Sequence, residues 1–239
     1  MKKLLLASVA AMSFASNAQA AELLLALGID GSGSISSSNF ALQRNAYANV
    51  LADTSVLPQN GSVAIAVYLF GSSVQTIFPL AEITASNISS LIDAVNGMVQ
   101  PRGGTNIGGT IQTATAHLLG SSITSNRQVI DISTDGMDSS TSNLITQRNA
   151  AIAAGIDQIN CIGIGANANC SNVVGGIGAF SLNATTFDDF ELALSNKIRT
   201  EVTGGVPEPA TWAMMLLGFG AIGGAMRSRR QQAKVRFAF

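Results

Sequence analysis

From Leu23 to Ile29 the chain reads Leu-Leu-Leu-Ala-Leu-Gly-Ile, with no polar side chain, and it then breaks into Asp30-Gly31-Ser32-Gly33-Ser34. An apolar run of strand length without polar alternation is what a parallel strand buried on both faces requires. Val63–Phe70, Gln128–Ser133 and Ile156–Ile164 repeat the pattern. Between these runs the apolar residues adopt helical spacing. Phe40, Tyr47, Val50 and Leu51 share a face over Ser36–Asp53, and Ile88, Leu91, Ile92 and Val95 share one behind an expected Ser86 cap. Ile107, Ile111, Ala114 and Leu118 form a third stripe, residues 143–154 a fourth helix, and Phe187, Phe190, Leu194 and Ile198 a last one. Gly71-Ser72 turns the second strand back into Val74–Pro79 as a hairpin, and a short strand is expected near Ala179–Leu182. Alternating units of this kind specify a doubly wound α/β domain with a mostly parallel sheet and one antiparallel edge strand.

The two ends of the chain do not belong to that pattern. Met1-Lys2-Lys3, an apolar run from Leu4 and a final Ala18-Gln19-Ala20 make a secretory signal peptide over residues 1–20, cleaved after Ala20. At the other end Pro207-Glu208-Pro209 precedes an apolar segment over about residues 210–226 and the cluster Arg227-Ser228-Arg229-Arg230. That segment is long enough for roughly 24 Å of helix, slightly short of a bilayer core of about 30 Å. It reads as a single transmembrane helix whose arginines stay cytoplasmic while the preceding domain is exported. Residues 202–206, with two glycines, form the linker.

Charge is distributed accordingly. Seven of the thirteen Lys and Arg lie in the two ends, so residues 21–206 hold six against thirteen Asp and Glu. An acidic middle without basic clusters repels phosphate backbones, which argues against nucleic-acid binding and suits a protein that holds cations. Cys161 and Cys170 are the only cysteines. In an exported domain they are expected to form a disulfide, the alternative being two buried thiols.

The strand ends carry the chemistry. Asp30-Gly31-Ser32-Gly33-Ser34 closes the first strand and Ser133-Thr134-Asp135-Gly136 the fourth. In an open α/β sheet ligands bind beyond the carboxyl ends of the strands, where strand order reverses. If the first and fourth strands flank that point, Asp30 and Asp135 face each other there. Thr105, in the glycine-rich turn Gly103-Gly104-Thr105-Asn106, then hangs over the same crevice. Two carboxylates and three hydroxyls are hard oxygen donors that select Mg²⁺, Ca²⁺ or Mn²⁺.

Asp-x-Ser-x-Ser, a distant Thr and a distant Asp-Gly resemble the metal-ion-dependent adhesion site of the von Willebrand factor A (vWA) family, with Asp30, Ser32, Ser34, Thr105 and Asp135 matching all five positions. The flanks Leu25-Ala26-Leu27, Phe40-Ala41-Leu42-Gln43-Arg44 and Arg127–Ser133 are similar to an uncharacterised bacterial subfamily over residues 21–203. The resemblance implies that Ser32, Ser34 and Thr105 contact the metal, that Asp30 and Asp135 act through ordered waters, and that one open position accepts a partner's Asp or Glu. It implies a binding module, not an enzyme. The C-terminus, residues 204–239, resembles the PEP-CTERM sorting signal of Gram-negative bacteria, which implies an exosortase-type enzyme acting near Pro207-Glu208-Pro209. Cleavage and release to the cell surface or extracellular matrix stands beside a permanent inner-membrane anchor. The tail 231–239 is longer than usual for that signal.

Rival readings of the same residues are weaker. Gly31-Ser32-Gly33 begins a dinucleotide fingerprint, but Ser36 replaces its third glycine. Asp30 and Ser34 occupy the glycine positions that a nucleophile elbow around Ser32 would need. His117, the sole histidine, sits in a helix beside an apolar stripe and reads as a helix-flank residue. Metal-assisted hydrolysis of a phosphoester or peptide has carboxylates available but only Arg102 as a clamp. A structural matrix component with a fold-stabilising metal is a third class. Asp131 reads as a local hydrogen-bonding group within its strand, and Asp138 as either a support of the metal loop or a bystander.

Overall fold

The computed structural model describes residues 21–204. The expected signal peptide (1–20), the Pro207-Glu208-Pro209 motif, the membrane span at 210–226 and the arginines 227, 229 and 230 lie outside the described residues. No helix among the described residues is long and apolar enough to cross a membrane.

Among the described residues seven strands and five helices follow one another as β1 (Leu23–Asp30), α1 (Ser37–Ala52), β2 (Asn60–Phe70), β3 (Val74–Thr84), α2 (Ile88–Asn96), α3 (Ile107–Leu119), β4 (Gln128–Thr134), α4 (Thr141–Ala154), β5 (Gln158–Ile164), β6 (Gly175–Gly176), β7 (Ser181–Ala184) and α5 (Phe190–Thr203). The sheet order is β3-β2-β1-β4-β5-β6, with β7 also pairing β5. β1 lies parallel to β2 on one side and to β4 on the other, with Asp30 opposite Phe70 and Ile29 opposite Ser133. Strand order therefore reverses between β1 and β4, which meets the condition on which Asp30 and Asp135 face each other.

All eight residues of β1 are buried. The sheet's period of two sends Leu24, Ala26, Ala64, Tyr68, Ile130 and Ile132 into one core with Ile107, Ile111, Ala114 and Leu118 of α3 and with Leu144 of α4. The opposite set meets α1 and α5. There Tyr47 donates to Ser133 Oγ at 3.1 Å, and its ring lies 5.7 Å from that of Phe190. Two covered faces explain why the strands read as continuous apolar runs.

Several expectations need correction. β3 is antiparallel to β2 as the hairpin reading requires, but β6 is antiparallel to β5, so the sheet has two antiparallel partners instead of one. β6 is two glycines long, too short for any apolar signature. The short strand expected at 179–182 runs from Ser181 to Ala184. Ser86 does not cap α2. The N-cap is Asn87, whose Oδ1 instead accepts from Thr84 N–H at 2.9 Å. Phe187 precedes α5, which starts at Phe190, after a turn in which Thr186 Oγ1 donates to Asp189 Oδ2 at 2.9 Å.

Asp131 is more than a local hydrogen-bonding group. It forms an ion pair with Lys197 of α5, both side chains fully buried, and the Lys197 ammonium lies 5.3 Å from the Phe180 ring centre. Burial pushes the Asp131 carboxyl up from its ordinary value, against the opposing pull of the Lys197 charge.

Cys161 and Cys170 form the expected disulfide, closing a loop with a sequence separation of 9. A loop of that length restricts the unfolded chain by about 2–3 kcal/mol. Replacing both cysteines by serine is expected to lower stability by roughly that amount in urea unfolding of the oxidised protein. Addition of dithiothreitol should destabilise the wild type and leave the double variant unmoved, and an equal response of both would refute the assignment.

Candidate metal centre

The site is built at the carboxyl ends of β1 and β4. Asp30 is the last residue of β1 and is fully buried, as is Ser32 to within 1%. Asp30 Oδ1 accepts from Ser32 N–H at 2.8 Å, and its Oδ2 accepts from Thr134 Oγ1 at 2.7 Å. The carboxylate is thus locked across the two strands. Beyond it the oxygens form a chain. Ser32 Oγ and Ser34 Oγ are 3.0 Å apart, and Ser34 Oγ donates to Asp135 Oδ1 at 2.7 Å. Ser34 is exposed and Asp135 half-buried, so the cluster is closed beneath and open above.

The loop that carries Thr105 is bonded through its backbone to the Asp30–Ser34 loop, but among the described residues no hydrogen bond joins the Thr105 hydroxyl to the Ser32–Ser34–Asp135 chain. Arg102 N–H donates to Gly31 O at 2.9 Å and Gly33 N–H to Gly103 O at 2.9 Å. A Cβ on Gly71 would stand 2.1 Å from Arg102 O, so only glycine permits this approach. Arg102 itself holds φ +59° and donates from Nη2 to Ser37 Oγ at 2.7 Å, tying the loop to α1. Thr105 and Ser139 then exchange two bonds, Thr105 N–H to Ser139 Oγ at 2.9 Å and Ser139 N–H to Thr105 O at 2.8 Å. Asp138 settles its own role. It is 8% exposed and accepts from Gly108 N–H at 2.8 Å and from Ser140 N–H, clamping the loop after β4 onto the start of α3.

Three supporting residues went unrecognised in the sequence. Thr134 holds Asp30, as above. Gln43 of α1 is fully buried and donates from Nε2 to Asp30 O at 2.6 Å, while its Oε1 is buried without a partner. Gln100 donates to Ser32 O at 3.1 Å and Ile35 O at 2.8 Å. The signal for Gln43 was present: a glutamine three residues after Phe40 and four before Tyr47 stands within the buried stripe of its helix. His117 is engaged elsewhere, with Nδ1 2.8 Å from the Tyr68 hydroxyl, whose own pKa burial pushes up to about 12.

Electrostatics favour a cation. Burial pushes the Asp30 carboxyl above its ordinary value and the Asp135 charge pushes it the same way, while hydrogen bonds from Ser32 and Thr134 oppose them. A positive charge in the cluster relieves both unfavourable contributions. Among the described residues no group of three or more His, Cys, Asp or Glu could hold a metal. The cluster here is instead two carboxylates with hydroxyls, a donor set for hard cations. Adjacent ligands of an octahedral Mg²⁺ lie about 2.9 Å apart. Ser32 Oγ and Ser34 Oγ, 3.0 Å apart, match that value and fit two adjacent ligands of such an ion, with the Asp30 and Asp135 carboxylates bonded around them.

Solved structures share this fold. A von Willebrand factor type A protein from Catenulispora acidiphila matches with a TM-score of 0.64 at 15% identity, over 76% of this chain and 43% of that one. The pilus adhesin SpaC from Lactobacillus rhamnosus GG matches with a TM-score of 0.63 at 14% identity, over 77% of this chain and 31% of its own. Proximal thread matrix protein 1 from the mussel byssus matches with a TM-score of 0.62 at 18% identity, over 75% and 48%, in a form with a zinc-occupied MIDAS motif. The chain thus spans less than half the length of each of these. No curated protein matches its sequence. The PEP-CTERM protein-sorting motif matches residues 205–230 and marks an exported, exosortase-processed envelope protein. Residues 20–206 match the model described as protein of unknown function (DUF1194), and the chain therefore belongs to that family, with a vWA-like fold and a C-terminal sorting motif.

Proposed function

We propose that this protein is an exported adhesion module that binds a divalent cation through Asp30, Ser32, Ser34, Thr105 and Asp135 and uses it to hold an acidic group of a partner. The observation that carries the reading is the continuous oxygen chain Ser32–Ser34–Asp135, anchored on buried Asp30 and open on the Ser34 side. Mg²⁺, Ca²⁺ or Mn²⁺ held there would supply an electrophilic centre for a carboxylate. The chain's own residues do the rest. Thr134 and Gln43 orient Asp30, Gln100 holds the Ser32 loop, and the Asp138 and Ser139 bonds fix the loop from which Thr105 would reach the cation. Hydroxyl ligands add no negative charge, so the cation keeps its appetite for an anion. The likeness to a pilus adhesin and a byssal matrix protein supports a role in adhesion at the cell surface or extracellular matrix. In this reading the protein is a binding module and not an enzyme: its sole histidine, His117, is bonded to the Tyr68 hydroxyl in place of the serine cluster.

The test is a pull-down from native envelopes on immobilised protein in Mg²⁺, eluted with chelator and compared with an Asp30→Asn column. Proteins or polymers eluting from the wild type alone support the reading. Metal-dependent turnover in a screen of generic phosphoesters and peptides, lost in Asp30→Asn, would replace it with a hydrolase.

A further inference from the structure

Beside the oxygen cluster lies a cleft of about 330 Å³. α1 contributes Asn39 and Leu42, the loop after β5 contributes Asn167, and the segment between β7 and α5 contributes Phe187 and Asp188. Asp135 belongs to both the cleft and the cluster, so whatever occupies the cleft abuts the group held at the cation.

The cleft is preformed. Its β5 loop is closed by the Cys161–Cys170 disulfide, is pinned by Gly165 N–H to Ala184 O at 2.9 Å, and reaches the loop after β4 through Asn169 N–H to Gly136 O at 3.5 Å.

Its lining is one-sided in charge. Asp188 is exposed, and neither Lys nor Arg lines the cleft. The neighbouring acids are otherwise engaged, Asp189 with Thr186 and Glu191 with Asn49 Nδ2 at 3.1 Å. Asp188 therefore faces solvent as a carboxylate beside an apolar pair, Leu42 (40% exposed) and the half-buried Phe187. That combination matches a long cationic side chain, whose aliphatic stem covers apolar surface while its head meets a carboxylate or an aromatic ring. A run of acidic residues would instead meet repulsion from Asp188 as soon as one of them reached the cation.

We propose that the cleft selects the residue flanking the partner's metal-bound carboxylate and selects it to be basic, so that the partner is a polypeptide segment in which Asp or Glu lies next to Lys or Arg. This rests on the cation reading of the oxygen cluster. A polymer of uronic acids would satisfy the cation but leave Asp188 unanswered, and a polypeptide of mixed charge satisfies both.

The test uses the full-length chain in detergent with Mg²⁺, panned against a peptide library with one fixed Asp and randomised flanks. Alginate serves as the competing polyuronate, and Mn²⁺ binding is measured separately. Enrichment of Lys and Arg beside the fixed Asp is expected, lost in EDTA. Asp188→Lys should weaken the enriched peptides about tenfold and reverse the flank preference, with Mn²⁺ affinity preserved. Mn²⁺ binding with no basic preference, with a preference that Asp188→Lys leaves intact, or with alginate outcompeting every peptide would overturn the cleft assignment and spare the cation. Failure of wild type to bind Mn²⁺ would overturn both.

Discussion

Replacing Asp30 by Asn is expected to remove about half or more of the thermal stabilisation that divalent cations give this protein while leaving the fold intact. A ligand at a hundredfold excess over its Kd stabilises the native state by about 2.7 kcal/mol, or about 5–10 °C of melting temperature for a domain of this size. Asn retains an oxygen to accept from one of the two present donors, Ser32 N–H and Thr134 Oγ1. It also removes a buried charge whose ionised form burial and Asp135 both disfavour. The metal-free variant should therefore melt near the metal-free wild type. Metal affinity should fall at least 10–100-fold, the usual cost of losing an oriented outer-shell carboxylate. Scanning calorimetry of both proteins, without Mg²⁺ and with Mg²⁺ at a hundredfold excess over the wild-type Kd, decides it. A variant that gains as many degrees from Mg²⁺ as the wild type would place the ion elsewhere.

The second large effect lies deep in the core, at the Lys197–Asp131 pair. Lys197→Met leaves the Asp131 carboxylate buried on the α5 face of β4 without its counter-charge. Breaking such a pair by removing one partner costs about 3–5 kcal/mol, whereas replacing both with apolar residues is often neutral or better. Lys197→Met alone is thus expected to unfold at markedly lower urea, and Lys197→Met with Asp131→Leu to recover most of the loss. Far-UV circular dichroism in urea reads both. A single variant costing under about 1 kcal/mol would show that the pair is not what joins α5 to the sheet.

Much of this molecule was legible before any coordinates. β1, β2, β4 and β5 announce themselves because strands buried on both faces need uninterrupted apolar residues. α1 and α3 follow because a helix covering such a sheet needs a stripe. Elements that depend on a single contact were not legible. β6 is two glycines paired with Gln158 and Ile159, and α5 begins at Phe190, past a turn in which Thr186 and Asp189 bond to each other. The start of α2 shifted for the same kind of reason, since Asn87 turns its side chain back to Thr84.

For the site, the sequence by itself determined the donor chemistry: carboxylates and hydroxyls, in loops that follow strands, with glycines where the backbone must pass closely. Tertiary structure alone decided that Ser34 meets Asp135, that Thr134 and Gln43 hold Asp30 from two different elements, and that Asp138 ties loop to helix. The division has a physical cause. Periodicity and residue type reflect burial and local backbone preference, which a short window contains, whereas a hydrogen bond between residues about a hundred positions apart exists only once strand order has brought them together.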